Sequence, residues 1–237
     1  VYHLNSFASA AMLQPYAPSI ATNHENNLEY DFYWGEGFYR QLATLASSNQ
    51  TCLDKYFELT TPSAYYADQY RKDFSLDVSS IHLGVCLDSF PVAPMSKPKK
   101  KKQLDVLLPS RFAVYQKGHD IALEAARLLK GKGTPVRFTF SGARANYMKE
   151  IEQFWQMAAD KGVDDIVRVK RYVDIQDAYQ ECDIVISPER YCSYGLSISE
   201  ALSLGIPTVL NSIPTYLEIA KNYETAFFFE KNSPEDL

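Results

Sequence analysis

The stretch SPERYCSYGLSISEALSLGIPTVLN, residues 187–211, contains the end of one strand, a turn, a helix and the next strand. The residues just before and at its start, DIVIS (183–187), form a short apolar run with β-branched side chains, which predicts a buried strand. Helical character begins at Ser197, and Gly205 with Pro207 marks the end of the helix. Residues 208–210 are then predicted as the next buried strand.

The turn at Gly195 is the part of this stretch that carries chemistry. Gly195 opens a predicted helix whose first amides have no intrahelical partner and whose dipole is positive at that end. Such a helix N-terminus predicts a phosphate site. Glu200, a little over one turn into the helix, would repel a phosphate that it touched, but its carboxylate can accept hydrogen bonds from a ribose diol.

The composition is that of an ordinary globular protein, with 46% hydrophobic and 22% charged residues in 237. A net charge of −5 argues against nucleic acid as a partner. No apolar run is long enough to span a bilayer, and no signal peptide is visible. The four cysteines are widely spaced, so neither a zinc site nor a disulfide framework is expected, and a cytoplasmic location is predicted.

Both ends of the chain predict that residues are missing. Val1 lies inside a predicted strand without a preceding methionine. Residues 232–237 (NSPEDL) have the pattern of a helix start, with Ser233 as N-cap and Pro234 at the first helical position. We therefore expect a fragment of a longer protein.

Residues 91–103 separate two regions that differ in pattern. This segment is rich in proline and contains a run of lysines, which predicts a linker between a domain at 1–90 and a domain at 104–237. The lysines are interpreted as part of a solvated tether, and the alternative is a patch for anionic lipid headgroups.

The first region holds one candidate functional side chain and an aromatic cluster. His24 directly follows a predicted strand at 19–23, and a loop histidine that caps a helix is as good an interpretation as a functional one. The aromatic residues within 30–39 favour core or interface packing over stacking on a sugar or base. The other predicted elements are strands at 1–5, 56–61 and 78–83 and a helix at 62–72.

From residue 104 onward, strands and helices alternate, which predicts a parallel, doubly wound sheet. Strands are predicted at 104–109, 136–140, 166–169, 183–187, 208–210 and 225–229, and helices at 117–130, 145–160, 175–181 and 197–204. On the helix at 145–160, an apolar stripe is predicted to contain Phe154, Trp155 and Ala158.

The polar residues after these strands should meet at one edge of the sheet, because ligands of such sheets bind at the carboxyl ends of the strands. The residues that follow the strand ends are Ser110, Arg111, Lys117 and Gly118; Ser141, Gly142, Ala143 and Arg144; and Glu189 and Arg190. Arg111 can bind a phosphate through two parallel hydrogen bonds and Lys117 can act as a point charge, so together with the helix at Gly195 they predict a diphosphate site.

Several common nucleotide motifs are absent from the sequence. There is no G-x-x-x-x-G-K-[ST] loop, no G-x-G-x-x-G turn and no D-x-D triplet. We therefore expect no metal and no bound cofactor, and charge neutralisation by Arg111, Lys117 and backbone amides.

Two stretches, RFAVYQKGHDIALEAARLL (111–129) and residues 187–211, resemble glycosyltransferase family 4. Two shorter segments, GVCLD (84–88) and Pro62-Ser63, are similar to other motifs of that family. The resemblance implies a retaining enzyme of the α/β GT-B fold, in which two Rossmann-type domains with parallel sheets face a cleft, with the first domain incomplete here. It implies a nucleotide-sugar donor of the UDP, GDP or ADP type and a saccharide or glycolipid acceptor.

The resemblance also implies a role for each site residue. Arg111 and Lys117 would hold the donor diphosphate and stabilise the leaving nucleotide, and His24 would lie at the donor sugar. The amides of Gly195, Leu196 and Ser197 would bind phosphate or sugar hydroxyls, and Glu200 would bind the ribose. Transfer would proceed at the front face of the sugar, with the leaving phosphate accepting the acceptor's proton.

One position departs from the family pattern E-x7-E. Glu200 is the second glutamate, and Cys192 stands where the first is expected. A thiol accepts a hydrogen bond from a sugar hydroxyl poorly. Three explanations remain open: a different treatment of the donor sugar, substitution by Glu189, or impaired activity.

The main prediction is a hexosyltransferase of polysaccharide biosynthesis, in the cytoplasm or peripheral at the inner face of the membrane. A non-catalytic nucleotide-sugar-binding module, or pseudoenzyme, is the first alternative, and Cys192 favours it. Another GT-B activity, such as an epimerase or a phosphorylase, is the second.

Overall fold

The computed structural model describes residues 2–4, 19–22, 57–90, 101–143, 148–171 and 175–237. The chain divides into two compact units. The first comprises Val1–Leu83 with Tyr191–Tyr194, and the second comprises Gly84–Arg190 with Gly195–Leu237. His24 and residues 91–100 of the predicted linker lie outside the described residues.

The first unit contains a parallel sheet with strands in chain order. The strands are β1 (Tyr2–Leu4), β2 (Ser19–Thr22), β3 (Phe57–Thr61) and β4 (Val78–Ser80), and helix α1 (Ala64–Phe74) joins the last two. The backbone N–H of Tyr66 donates to Ser63 Oγ, which caps the start of α1 as a serine at that position should. The predicted strand at 78–83 is too long, because β4 ends at Ser80. The Ile81 N–H still donates to the Thr61 carbonyl at 2.9 Å, but its side chain is 61% exposed.

The second unit alternates strands and helices, as the sequence predicts. Its elements are β5 (Leu104–Pro109), α2 (His119–Gly131), β6 (Val136–Ala143), α3 (Met148–Asp160), β7 (Val167–Arg171), α4 (Ile175–Glu181), β8 (Ile184–Ser187), α5 (Leu196–Ser203), β9 (Thr208–Asn211), α6 (Pro214–Ile219) and β10 (Phe227–Phe229). All strand pairs in the six-stranded sheet are parallel, in the order β10-β9-β8-β5-β6-β7.

Strand β5 is where the direction of the sheet order reverses. On one side Val106 is in register with Phe138 of β6, and on the other side it is in register with Ile184 of β8. The chain therefore runs outward from β5 to β7, then crosses back and runs outward the other way from β8. A crevice outside the carboxyl ends of β5 and β8 follows from this topology, and it is where sheets of this kind bind ligands.

The core under α2 and α3 is aromatic. Phe112, Phe140 and Phe154 are at most 1% exposed, and the rings of Phe140 and Phe154 lie 4.6 Å apart. The predicted stripe on α3 is wrong for Trp155, which is 37% exposed, whereas Phe154 and Ala158 are fully buried. Consecutive helical residues point about 100° apart, so Trp155 lies at the edge of the buried stripe that is centred near Phe154 and Ala158.

Two predictions near the end of the chain need correction. Residues 225–226 are not part of β10, which begins at Phe227. The segment 232–237 forms turns and not a helix. The predicted capping contact is nevertheless present, because the Asp236 N–H donates to Ser233 Oγ at 3.3 Å.

The described end of the predicted linker is attached to the second unit. Lys101 Nζ lies 2.8 Å from Asp183 Oδ1, and this pair raises the pKa of Lys101. At least one of the linker lysines is therefore bound to a carboxylate of the sheet and is not a free tether charge.

Candidate active site

An ion pair joins the loop after β5 to the loop after β8. Lys117 Nζ lies 2.7 Å from Glu189 Oε1, and the two side chains are only 15% and 3% exposed. The other carboxylate oxygen, Glu189 Oε2, is buried and has no hydrogen-bond partner among the described residues. The sequence predicts both residues at this crevice but does not predict their pairing.

Arg190 forms a second connection between the same two loops. Its guanidinium makes two hydrogen bonds to the Asp120 carboxylate, at 2.8 and 2.7 Å, and lies 4.0 Å from the centre of the Tyr115 ring. Its backbone N–H donates to the Gln116 carbonyl at 2.9 Å. Fork-like pairing of this kind fixes orientation as well as distance, so the two loops are held in one arrangement.

Gly118 permits the close approach of these loops. Its φ of +67° places it in the left-handed region, and a Cβ at this position would overlap the Pro188 carbonyl oxygen. Because that obstacle is backbone, no side-chain movement could relieve it. The Lys117-Gly118 pair therefore combines a cation with the one residue type that lets the opposite loop come near.

Arg111, predicted to bind the diphosphate, follows β5. Its Nη2 donates to Gln116 Oε1 at 2.7 Å, so Gln116 contacts it within the same loop. The end of β6 lies against the start of the same loop. Gly142 (φ +143°) packs against the Ser110 carbonyl, and the Ser110 N–H donates to Ser141 O at 2.9 Å. Arg144, which follows β6, lies outside the described residues.

His119 lies directly beneath the Arg111–Lys117 loop. It is fully buried, its ring stacks on Phe112 with centroids 5.0 Å apart, and Nε2 lies 3.4 Å from Ser110 Oγ. Burial, followed by the charge of Lys117, lowers the pKa of His119 to about 3. The imidazole is therefore neutral at neutral pH and acts as packing under the loop.

Gly195 begins α5 in the left-handed region, with φ +101°. A Cβ here would lie 2.5 Å from Cε1 of Tyr216, whose hydroxyl is hydrogen-bonded to Ser187 Oγ at 2.6 Å. The N–H groups of Ile198 and Ser199 donate to the Gly195 carbonyl. The preceding amides, of Leu196 and Ser197, have no backbone acceptor in the described part of the chain, as expected for a helix N-terminus that can bind an anion.

Glu200 is half buried on α5 and contacts Tyr179. The Tyr179 hydroxyl lies 3.0 Å from Glu200 Oε2 and 2.9 Å from the Ser197 carbonyl. Burial raises the pKa of Glu200, and the hydrogen bond from Tyr179 partly opposes that rise.

Three residues near this crevice were missed by the sequence analysis as functional candidates. Tyr179 and Tyr216 lie on α4 and α6, and no motif marks them. Asn211 ends β9, and its Nδ2 donates to the Glu189 carbonyl at 2.8 Å. The signal for Asn211 is its place at the carboxyl end of a predicted strand, which is the criterion that selects Arg111 and Glu189.

Cys192 is buried, at 6% exposure, and belongs to the first unit. Among the described residues, no group of three or more His, Cys, Asp and Glu side chains converges in a way that could hold a metal ion. None of the described helices has the length and apolarity needed to cross a membrane.

The sequence profile of the family "Glycosyl transferases group 1" matches residues 92–237, which include every described member of the crevice. The chain belongs to this family. Over 136 residues it is 24% identical to the lipopolysaccharide core biosynthesis mannosyltransferase LpsB of Rhizobium meliloti, a match that covers 53% of this chain and 38% of LpsB.

Solved structures of glycosyltransferases share the fold of this chain. HepE from Anabaena, in complex with UDP and glucose, superposes with a TM-score of 0.73 at 15% identity, over 92% of this chain and 59% of HepE. A TarM variant from S. aureus, in a complex that contains UDP, superposes with a TM-score of 0.73 at 20% identity, over 93% of this chain and 42% of TarM. The predicted α/β fold with parallel sheets of the GT-B type is confirmed, and the chain spans well under two thirds of these relatives.

Proposed function

We propose that this chain is part of a retaining glycosyltransferase that transfers a hexose from a nucleoside diphosphate sugar to a saccharide or glycolipid. The observation that carries the proposal is the set of groups at this edge of the sheet. The loop of Arg111 and Lys117 and the amide end of α5 both adjoin the carboxyl ends of β5 and β8, the strands at which the sheet order reverses. Cations together with oriented amides are what a diphosphate requires.

The roles of the residues follow from their chemistry. Arg111 and Lys117 neutralise the diphosphate and stabilise the negative charge that develops on it as the bond to the sugar breaks. The amides of Leu196 and Ser197 bind phosphate oxygens or sugar hydroxyls, and Glu200 accepts hydrogen bonds from the ribose. The acceptor hydroxyl gives its oxygen to the sugar carbon and its proton to the leaving phosphate, so neither a protein nucleophile nor a metal is required.

The donor and the setting are narrower parts of the same proposal. UDP is the first nucleotide to test, because the HepE and TarM structures contain it. The name of LpsB, a lipopolysaccharide core mannosyltransferase, supports an acceptor in cell-envelope polysaccharide. Assignment to family 4 and work at the cytoplasmic side of the membrane belong to the same proposal and rest on the sequence resemblance. His24, which lies outside the described residues, remains the candidate that contacts the donor sugar.

The test is calorimetric titration of the chain with UDP, GDP and ADP, each with and without Mg²⁺. We expect one nucleotide to bind without metal and Arg111→Ala to weaken it by tenfold or more. Arg168→Ala is the matched control, because Arg168 is exposed on the edge strand β7, and it should bind like the parent protein. Equal binding by Arg111→Ala, or no binding by a folded protein, would contradict the proposal.

A second function, nucleotide-sugar binding without transfer, is favoured by Cys192 at the position of the first motif glutamate. The two functions differ in the product: a transferase releases the free nucleotide and a glycosylated acceptor, which mass spectrometry detects. In the longer protein, Cys192→Glu should change the preference among donor sugars if position 192 contacts the sugar. An epimerase or phosphorylase would be recognised by its own product.

A further inference from the structure

Tyr179 links two parts of the proposed nucleotide site through one hydroxyl group. The residue is 2% exposed on the short helix α4, and its hydroxyl reaches both Ser197 O and Glu200 Oε2 on α5. Ser197 belongs to the first turn of α5, whose amides are proposed to bind phosphate. Glu200 is proposed to bind the ribose.

The contact restricts a side chain that would otherwise be free to move. Glutamate has three rotatable side-chain bonds, and ordering such a chain costs conformational entropy. The single hydrogen of the buried phenol is shared between Ser197 O and Glu200 Oε2, and this contact holds the carboxylate beside the first turn of α5 before a ligand arrives. The other oxygen, Oε1, then stays available as an acceptor, because a carboxylate has acceptor sites on both oxygens.

The phenol itself is well fixed. The ring of Phe90 meets the ring of Tyr179 edge to face, with centroids 5.9 Å apart, and Cys182 Sγ donates to the Tyr179 carbonyl at 3.4 Å. Ser203 Oγ, at the end of α5, lies 3.3 Å from the Phe90 carbonyl. The residues that hold Tyr179 are thus tied to the same helix that carries Glu200.

We propose that Tyr179 is a positioning residue of the nucleotide site, which orients the Glu200 carboxylate toward the two ribose hydroxyls. This inference rests on the proposed function, because it assumes that Glu200 accepts hydrogen bonds from a ribose. It assigns a role in ligand recognition to a residue of α4, a helix that no motif connects with the site.

A purely structural role for Tyr179 would have a different signature. If the hydroxyl only satisfied the Ser197 carbonyl, its removal would disturb the first turn of α5 and weaken every nucleotide alike. A positioning role predicts a loss that depends on the ribose hydroxyls of the ligand. Two ligands that differ only in those hydroxyls therefore separate the two roles.

The experiment compares UDP with 2′,3′-dideoxy-UDP by calorimetry, or the corresponding pair if GDP or ADP is the nucleotide that binds. For Tyr179→Phe we expect about fivefold to tenfold weaker binding of UDP, which is the scale of one ordinary hydrogen bond. For the dideoxy analogue we expect less than a twofold change. Glu200→Gln should show the same pattern. The double variant should be no weaker than Glu200→Gln alone.

Tyr216→Phe is the matched control for the loss of a buried phenol. Its hydroxyl is hydrogen-bonded to Ser187 Oγ and its ring packs on Gly195. We expect any effect of this change to be equal for the two ligands. A thermal melt of each variant verifies that the protein remains folded.

The possible results separate the failure of this inference from the failure of its basis. Suppose that Glu200→Gln weakens the binding of UDP more than that of the dideoxy analogue. If Tyr179→Phe then weakens the binding of both ligands equally, or of neither, the positioning role is overturned. If Glu200→Gln binds both ligands as the parent protein does, the ribose assignment in the proposed function is wrong and the positioning role fails with it. Binding of no nucleotide at all overturns both.

Discussion

The two halves of the crevice are held by different interactions. In the charged half, which consists of Arg111, Lys117, Asp120, Glu189 and Arg190, ion pairs join the loops after β5 and β8. In the helix half, which consists of Gly195, Ser197, Glu200, Tyr179 and Tyr216, neutral hydrogen bonds and a close glycine contact hold α5.

The difference shows which half can change when a ligand binds. The Lys117 ammonium has three N–H donors, so it can bind a phosphate oxygen while it stays paired with Glu189, and the charged half can respond to charge. The contacts of the helix half are short-range and depend on shape, so they keep the amide end of α5 in place with or without a ligand. Substitutions that remove the contacts of one half at a time test this difference.

The largest effect is expected from Lys117→Met in the charged half. It leaves Glu189, at 3% exposure, as a buried charge without its partner, which should cost about 3–5 kcal/mol in the free energy of unfolding. Urea denaturation measures this. Lys170→Met is the control, because its partner Glu181 is 63% exposed and such pairs contribute about 1 kcal/mol or less. Equal costs for the two variants would show that the Lys117–Glu189 pair is not special.

Gly195→Ala tests the helix half. The alanine would need a left-handed φ and would press on the Tyr216 ring, so we expect a loss of about 2–3 kcal/mol in stability together with weaker nucleotide binding. Gly133→Ala is the matched control: its φ is +70°, but nothing lies within 4 Å of the added Cβ. The control should lower the stability by about 1 kcal/mol and leave nucleotide binding unchanged. A similar loss of stability in both variants would show that the Tyr216 contact does not contribute to the cost of Gly195→Ala.

The free energy of unfolding should depend on pH through His119, which lies beneath the charged half. Its pKa falls from an ordinary value of 6.5 when unfolded to about 3 when folded, so below pH 6.5 the unfolded chain binds a proton that the folded protein does not. Stability should therefore fall by about 2 kcal/mol between neutral pH and pH 5.

Urea denaturation at a series of pH values measures this slope, and His119→Leu should remove it between pH 7 and 5. Glu124 does not interfere in that window. Its pKa is lowered to about 2 by Arg127 and Lys161, so its contribution is lost only as the pH falls below about 4.5. A slope that persists in His119→Leu would assign the pH dependence to another group.

The smallest effect is expected from Tyr216→Phe in the helix half. The ring remains to pack on Gly195, and only the hydrogen bond with Ser187 Oγ is lost, which should cost about 1–2 kcal/mol. Because no charge is removed, the cost should be the same in low and high salt, whereas the cost of Lys170→Met, which removes an exposed ion pair, should fall in high salt. Denaturation at two salt concentrations checks both statements.

The sequence predicts the local elements of the second unit well, because their signals are local. Gly205 and Pro207 mark the end of α5, and the run at 183–187 marks β8 within one residue. The order of strands has no local signal. That β8 lies beside β5, and not beside β7, follows from pairing between residues far apart in the chain, such as Leu107 with Val185.

The candidate site was predictable by position but not by contact. Residues after strand ends, such as Lys117 and Glu189, are brought together because topology alone sends them to one edge. Their pairing, and the role of Tyr179 on a seven-residue helix, depend on side-chain directions that periodicity does not encode. Trp155 shows the converse error, since an apolar residue in a helical stripe is assigned to the core although geometry places it outside.

The position of β5 in the sheet also sets the order in which the second unit can assemble. Strand β5 can pair with β6 early, but its other edge stays open until β8 has been synthesised, after α4. Pairing between distant segments is slow to form and leaves a strand edge exposed meanwhile. Lys117 meets Glu189 only when that edge closes. Substitutions in this pair should therefore mainly accelerate unfolding and leave the folding rate little changed, because the pair forms late on the folding pathway.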